Sequence, residues 1–476
     1  MSSLEQAFDS TAFRELGHRL VDRLADHLQV TQQANENRVI SWQDPAESLA
    51  CWENLDRSDD VMDLFEQVIQ QSIHLHHPRY VGHQISPALP VSALAGLLVD
   101  LLNNGMGVYE MGMAGTAIEH VVVKLTARQL GFPTTAGGFL TSGGSLANLT
   151  GLLAARQSRL QDGGDDSSLA VMVSAEAHHC VLRAATIMGL GEEGIVQVPS
   201  NAKYQMEVDQ LERLHQEAAG RGYEVMAIVG NACTTSTGSF DDLAAIGAYC
   251  QRHRLWFHVD GAHGAAMAFS EKYCDKLAGI ELADSVTLDF HKMLLTPALL
   301  SALIFREESN SFDTFRQTAD YLWSQNAGRD EAEWFSLAKR TFECTKSMMG
   351  LKIYSLLKAH GVEILDENVT RLVDLTRQFA RLIEQHASFE IAVQPEANIV
   401  CFRYVADVPS SDLSRLNEKI RESVTQQGRF FIVQTTLQDE VWLRTTLANP
   451  LTTKQDLEEL LEHIDQSANC LLSRLP

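Results

Sequence analysis

A mostly parallel α/β sheet domain, followed by a smaller α+β domain, is the fold class this sequence predicts, and two patterns predict it. The first is a series of short, nearly uninterrupted apolar runs in the middle of the chain: Leu169 to Val173, Ile195 to Val198, Val225 to Val229, Leu255 to Val259, Ser285 to Leu288 and Ala302 to Phe305. They alternate with helical stretches such as Asp242 to His253. Strands that are apolar on both sides are strands covered on both faces, as in a parallel sheet flanked by helices. The second pattern begins after about Lys352. A long helix is followed by runs at Phe389 to Val393, Ile399 to Tyr404, Phe430 to Thr435 and Val441 to Thr446, and then by a closing helix from Lys454. With 476 residues and 45% hydrophobic content, the chain can bury a large core and divide into more than one domain.

Ahead of the sheet, Phe13, Leu16, Leu20, Leu24 and Leu28 recur at three- and four-residue steps, the stripe of an amphipathic helix. The next segment, Asn35 to Asp44, is polar and ends at Asp44-Pro45, so the stripe is expected to pack on another subunit. The expected organisation is an N-terminal helical segment over 1–75, a large domain over 76–350 and a small C-terminal domain over 351–476. No internal repeat, low-complexity tract or Gly/Ser linker interrupts it.

The balance of 38 Lys+Arg against 62 Asp+Glu gives a formal charge of -24, which repels phosphate backbones and anionic lipid. Neither nucleic acid nor a membrane is an expected partner. The opening residues, Met1 to Glu5, have no basic or apolar leader character, and no apolar run reaches the ~20 residues that span a bilayer, so a cytoplasmic protein is expected. The eight cysteines show no C-x-x-C spacing, which argues against a zinc ribbon or a disulfide framework and for small core residues. Gly189-Leu190-Gly191-Glu192-Glu193-Gly194 satisfies G-x-G-x-x-G but follows a helix and precedes a strand, the reverse of a dinucleotide site. His74, His76 and His77 lack a cysteine or carboxylate at metal-ligand spacing, and no metal is expected. The sequons at Asn148 and Asn368 fall in expected helices and are read as chance.

In parallel sheets, ligands sit outside the carboxyl ends of the strands. Lys292 lies there, in Asp289-Phe290-His291-Lys292, among Phe290, Met293, Leu294 and Leu295. Such surroundings are expected to lower its pKa, and a neutral amine can attack an aldehyde. An ordinary surface lysine is the alternative. Asp260 ends another strand, within His258-Val259-Asp260-Gly261-Ala262-His263-Gly264. A buried carboxylate needs a cation, and a protonated ring nitrogen is one. A helix N-cap is the alternative there. Gly137-Gly138-Phe139-Leu140-Thr141-Ser142-Gly143-Gly144-Ser145 precedes the helical run Leu146 to Arg156. Glycines and a helix N-terminus suit a phosphate, with Ser145 either capping the helix or bonding the anion; a plain turn is the bland reading. Finally, Ser174 to His179 follow the strand Leu169 to Val173, where an imidazole could lie flat on an aromatic ring and exchange protons, or be an unremarkable loop histidine.

Taken in this order, the sequence resembles the pyridoxal 5'-phosphate (PLP)-dependent group II amino acid decarboxylases, the family of glutamate, aromatic amino acid, histidine and 2,4-diaminobutyrate decarboxylases. The likeness runs through His77-Pro78-Arg79-Tyr80, Tyr109-Glu110, Ser142 to Asn148, Ala177-His178, Thr234-Thr235, His258 to Ala262, His291-Lys292 and Leu443 to Pro450. It implies a fold-type-I PLP enzyme, like aspartate aminotransferase, working as a homodimer with active sites at the subunit interface. By position, Lys292 matches the lysine that holds the cofactor as a Schiff base, Asp260 the pyridinium partner and His178 the ring-stacking histidine. Those three form the expected catalytic set. Thr235 matches the threonine near Asp260, while Gly143, Gly144, Ser145, Ala262 and His291 complete the cofactor-binding set. Arg444 matches the arginine that grips a substrate carboxylate, and His83 and Gln84 join it as substrate residues. Gln84-Ile85-Ser86 resembles glutamate-type enzymes and Val81-Gly82-His83 diaminobutyrate-type ones, so a small acidic or diamino substrate is expected. Aromatic decarboxylation, aldehyde synthesis and a silent PLP-binding protein are the alternatives.

Three departures from the family stand out. Between Asn326 and Lys346, where relatives carry a tyrosine on a mobile loop, this chain has Trp334 and Phe335; Tyr321 precedes that stretch. His178 is the expected substitute proton donor. In relatives with phenylalanine for that tyrosine, oxidative deamination can replace simple decarboxylation. Lys346 stands where relatives often have arginine, and Asp289 where several have asparagine near the phosphate, which would call for an extra donor.

Overall fold

The computed structural model describes residues 2–34, 38–53, 60–315 and 334–473. The chain forms two compact units, one of Gln84–Thr376 with Val393–Val400, the other of Met1–His83, Arg377–Ala392 and Cys401–Pro476.

The larger unit is built on seven strands: β1 (Gly137–Thr141), β2 (Leu169–Ser174), β3 (Ile195–Val198), β4 (Glu224–Asn231), β5 (Trp256–Asp260), β6 (Ser285–Asp289) and β7 (Ser301–Phe305). Their order is β1-β7-β6-β5-β4-β2-β3. The pairs β6·β5, β5·β4, β4·β2 and β2·β3 are parallel, and β7 runs antiparallel to both β6 and β1. Along β2, Ala170 and Met172 enter one buried cluster and Leu169, Val171 and Val173 the other. Period-two side chains buried on both faces account for the continuous apolar runs.

Each of the six apolar runs is a strand, and the helix Leu243–His253 starts where Asp242 accepts a hydrogen bond from Ala245 N at 3.0 Å. β1 departs from expectation. Its Gly-Gly-Phe-Leu-Thr sequence reads as loop, yet it pairs with β7 along its length. Glycine is needed at 138 because a Cβ there would come within 2.0 Å of Leu303 O on β7. Only Gly143 and Gly144 of that motif are left to open the helix Gly144–Gln161.

The smaller unit carries the sheet β10-β11-β9-β8, made of β8 (Phe389–Ile391), β9 (Ile399–Tyr404), β10 (Val433–Leu437) and β11 (Glu440–Thr446). Gln438 and Asp439, with φ of 50° and 63°, form the two-residue turn between β10 and β11. An unforeseen helix, Ser410–Gln427, buries Leu413, Leu416, Ile420 and Val424. Its remaining positions are so polar that the stripe is thin in the sequence. Asn417 ties that helix to Tyr404 through both of its amide atoms, each at 2.9 Å.

The N-terminal residues belong to this same unit. Asn449 Nδ2 donates to Leu75 O and His77 O at 3.0 and 2.9 Å, Thr452 Oγ1 to Pro78 O at 2.6 Å, and Thr446 N to Val81 O at 2.9 Å. The His77 and Leu443 motifs, far apart in the chain, thus meet through backbone carbonyls. The helix Ser10–Gln32 buries only Thr31. The single long helix expected after Lys352 is two, Gly350–His360 and Glu363–Gln385. No disulfide forms, and four cysteines (51, 274, 344 and 470) are exposed, fewer core cysteines than the sequence suggests. No helix among the described residues is long and apolar enough to cross a membrane.

Candidate active site

The carboxyl ends of β2, β4, β5 and β6 converge on a cavity of about 410 Å³ in the larger unit. Gly143, Gly144, Ser145, His178, Thr235, Asp260, Ala262, His291 and Lys292, all singled out from the sequence, line it together. Asn148, Cys180, Asn231, Cys233, His263 and Leu299 line it as well and had been given no role of their own from the sequence. Asn148 had a signal, since it closes the Ser142 motif one turn into the helix; the two cysteines and Leu299 had none. Gln84 lies in the larger unit but is not among the lining residues.

Each side chain is held by its own local structure. Asp260 is the last residue of β5, fully enclosed, with Oδ1 accepting from Ala262 N at 3.2 Å. Burial raises its pKa, opposed by Lys292, by the Ala262 N–H and by a hydrogen bond from Asn148. Thr235 sits in a turn shaped by hydroxyl contacts Thr234–Thr237 and Thr237–Ser239 at 2.8 and 2.9 Å. Asp241 braces the end of β4 beside that turn, accepting from Asn231 N and Nδ2 at 2.7 and 2.9 Å.

Lys292 reverses one expectation. Burial works to lower its pKa, yet the net direction is upward because Asp289, and then Asp260, stabilise the ammonium. Its Nζ lies 2.9 Å from Asp289 Oδ2. Asp289 is also hydrogen-bonded by the Ser301 hydroxyl, with His291 Nε2 3.8 Å away. At Gly144 a Cβ would stand 3.0 and 3.1 Å from the two Asp289 oxygens, so glycine is what lets this carboxylate approach the helix start. The Ser301 hydroxyl and the Lys292 ammonium are the donors that face Asp289. Ser145 does not cap the helix, whose N-cap is Gly143.

His178 caps the helix His179–Ile187, its Nδ1 accepting from Cys180 N at 3.3 Å. Burial is the main cause that pulls its pKa down to about 4, with His179 and Lys292 adding to it. At neutral pH it is therefore an uncharged ring with its proton on Nε2, which suits stacking better than donating a proton.

Arg444 and His83 belong to the smaller unit. Arg444 is buried on β11 opposite Val433, and burial together with the charges of Arg444 and Arg421 lowers the pKa of His83. Tyr321 and positions 326–333 of the expected loop lie outside the described residues. Of the rest, Trp334 packs 4.4 Å from the His120 ring and Phe335 5.3 Å from Tyr109. Lys346 lies within 2.5 Å of Glu119 Oε1 and 2.6 Å of Leu140 O, a structural pairing that accounts for a cation at that position.

A family profile described as the pyridoxal-dependent decarboxylase conserved domain matches residues 45–405. The chain belongs to this family. The decarboxylase is 27% identical over 446 residues to L-2,4-diaminobutyrate decarboxylase of Acinetobacter baumannii, covering 90% of this chain and 86% of that one. It is 29% identical over 461 residues to aspartate 1-decarboxylase of Aliivibrio fischeri, covering 85% and 82%. A crystal structure of mouse CSAD superposes with a TM-score of 0.89 at 26% identity, covering 97% of this chain and 99% of that one. The fold is that of the fold-type-I PLP enzymes, and the protein is a PLP-dependent carboxy-lyase acting on an amino acid.

The cavity fits that cofactor. Asp260 offers an enclosed carboxylate to a ring nitrogen cation, Lys292 an enclosed amine to an aldehyde, and the start of the helix Gly144–Gln161 offers backbone donors to a phosphate.

Proposed function

We propose that this decarboxylase removes the α-carboxylate of a small amino acid with an acidic or diamino side chain, using Lys292 to hold PLP, Asp260 to keep its ring nitrogen charged and His178 to stack on the ring. The observation that carries the reading is the meeting of Lys292, Asp260, His178 and the Gly143–Ser145 turn in one cavity. Gly144, Ser145 and His291 are proposed on the phosphate side, Gly143 and Ala262 as backbone lining, and Thr235 beside the ring.

Bound there, PLP supplies an electron sink for the pair left behind as CO2 departs. The protein's own part is positioning and proton control. Asp260, held by Asn148 and the Ala262 N–H, presents a fixed anion in an enclosed site, where such charges act most strongly. Lys292 must give up a proton before its amine can attack a carbonyl, and Asp289 governs that loss by favouring the ammonium. The same ammonium is a better acid than neutral His178 for returning a proton to the substrate Cα, so we assign that step to Lys292. Arg444 is proposed, from its motif match, to bind a substrate carboxylate, with His83 and Gln84 as further substrate residues. The diaminobutyrate and aspartate activities named for the relatives support a small charged substrate.

The test is a panel of the twenty amino acids plus diaminobutyrate, ornithine and cysteine sulfinate, assayed for CO2, amine, aldehyde, ammonia and peroxide. One small charged substrate should give CO2 and amine in equal amounts. Turnover of large aromatics alone, aldehyde in place of amine, or no CO2 from any of them would contradict the proposal. On the best substrate, Arg444→Ala should lose about 2–5 kcal/mol in kcat/KM, the usual cost of stripping one partner from a buried charge pair. Unchanged kinetics would remove Arg444 from the site.

A further inference from the structure

Behind Asn148, which helps to hold Asp260, runs a buried hydrogen-bond chain that the mechanism above does not use. Trp256 Nε1 donates to Ser285 Oγ at 2.9 Å, and Ser285 Oγ lies 2.8 Å from His258 Nδ1. His258 Nε2 lies 3.0 Å from Asn148 Oδ1, the Asn148 Nδ2 donates to Cys180 Sγ at 3.3 Å, and the same amide is among the groups that favour the charged form of Asp260. All of these side chains are buried, His258 and Ser285 completely.

The two ends fix every proton between them. An indole N–H can only donate and an ionised carboxylate can only accept. Ser285 oxygen takes the indole proton, and its own hydrogen goes to His258 Nδ1 in the arrangement where the imidazole faces the Asn148 carbonyl with an N–H rather than a lone pair. His258 then carries its proton on Nε2 and donates it to Asn148 Oδ1, which turns the Asn148 nitrogen toward Cys180 Sγ, 3.3 Å away, and toward Asp260. The opposite tautomer would set a ring lone pair against the Asn148 carbonyl. Relief by turning the amide over would aim that carbonyl at the Asp260 carboxylate, a repulsion in a site with little water to screen it.

We propose that His258 is a positioning residue for decarboxylation: its Nε2–H tautomer, set by Ser285 and Trp256, orients Asn148 so that Asp260 stays anionic where the ring nitrogen of PLP binds. This rests on the reading of Asp260 given above. Burial, the largest influence on Asp260, opposes its charge, and Asn148 is one of the few groups that favour it. Burial also pulls His258 down to about 3, so a second ring proton does not scramble the chain near neutral pH.

The test compares binding of PLP with that of its carbocyclic analogue, in which the ring nitrogen is replaced by carbon, to cofactor-stripped protein. Absorbance titrations of wild type, Ser285→Ala, Ser285→Thr and His258→Phe give the preference for PLP over the analogue. Ser285→Ala and His258→Phe should lose about tenfold of that preference, the order expected of one charge-assisted hydrogen bond, and Ser285→Thr, which keeps a hydroxyl, should retain it. Equal weakening of both ligands, or an unchanged preference, would overturn the relay. Wild type that itself shows no preference would instead refute the role given to Asp260. If His258→Phe does not fold, Ser285→Ala carries the comparison, and the ¹⁵N spectrum of labelled wild type must show His258 protonated on Nε2; protonation on Nδ1 overturns the proposal.

Discussion

His178 and His258 stay neutral at pH 7 because burial pulls their imidazoles to about 4 and about 3. On unfolding each returns to the ordinary value of 6.5, so between the two values the unfolded chain binds the extra proton. Stability from this source is complete above pH 6.5 and is lost as the pH falls toward 3. The completely buried His258 alone should lower the unfolding free energy by about 1.4 kcal/mol per pH unit below 6.5; the half-exposed His178 contributes less, being screened by solvent. Urea unfolding from pH 7.5 to 5.5 should give a slope shallower by about half a proton on average in His258→Phe, so that the variant loses about 1.4 kcal/mol less than wild type across that range. Equal slopes would show that His258 is not held neutral. Residue types and their order at strand ends made the cavity lining legible in the sequence. The pKa direction of Lys292 was not legible, because it depends on the short helix Phe290–Met293 bringing Lys292 round to face Asp289, three positions earlier. The Trp256 to Asp260 chain was equally hidden, since it joins side chains of two strands and a helix.

The element most easily misread, β1, is fixed by buried charge rather than by apolar side chains alone. Glu119 Oε1 accepts from Leu140 N at 3.0 Å while Lys346 Nζ donates to Leu140 O at 2.6 Å, so one ion pair grips both backbone groups of a residue on the sheet's last strand. Arg340, also buried, donates to Gly138 O at 3.1 Å and pairs with Glu308 at 3.0 Å. Lys346→Met should therefore cost about 3–5 kcal/mol, the penalty for leaving Glu119 buried and unpaired, and adding Glu119→Gln should recover much of it. Thermal or urea unfolding of the two variants decides this; a single variant as stable as wild type would mean the pair is not what holds β1. The strands β2 to β7 were legible because burial on both faces leaves an unmistakable run. β1 and the helix Ser410–Gln427 were not: one is rich in glycine for close backbone approach, and the other buries a narrow stripe among charged positions.

Leu94, Leu98 and Leu101, on one side of the helix Pro90–Leu102, are 55%, 48% and 61% exposed, and Met111, Met113 and Val121 on the helix Tyr109–Gln129 are exposed with them. We propose that a second copy of the chain covers this apolar surface. Sedimentation should give about twice the 52.7 kDa of one chain, and Leu98→Glu with Leu101→Glu should shift it toward one; wild type that sediments as a single chain would contradict the dimer. The striped helix Ser10–Gln32, whose Phe13 and Leu24 are exposed, is proposed to meet the partner as well. That the first 83 residues and the C-terminal sheet form one unit was not legible, because the hydrogen bonds from Asn449 and Thr452 end on backbone carbonyls, which carry no sequence pattern, and the Arg79–Glu459 ion pair joins residues far apart in the chain. All of the chemistry rests on Lys292 carrying the cofactor, and that is directly measurable. Holoprotein reduced with borohydride, digested and analysed by mass spectrometry should carry the reduced cofactor on the peptide containing Lys292, and Lys292→Ala should carry none; label on any other lysine, or on Lys292→Ala, would contradict the account.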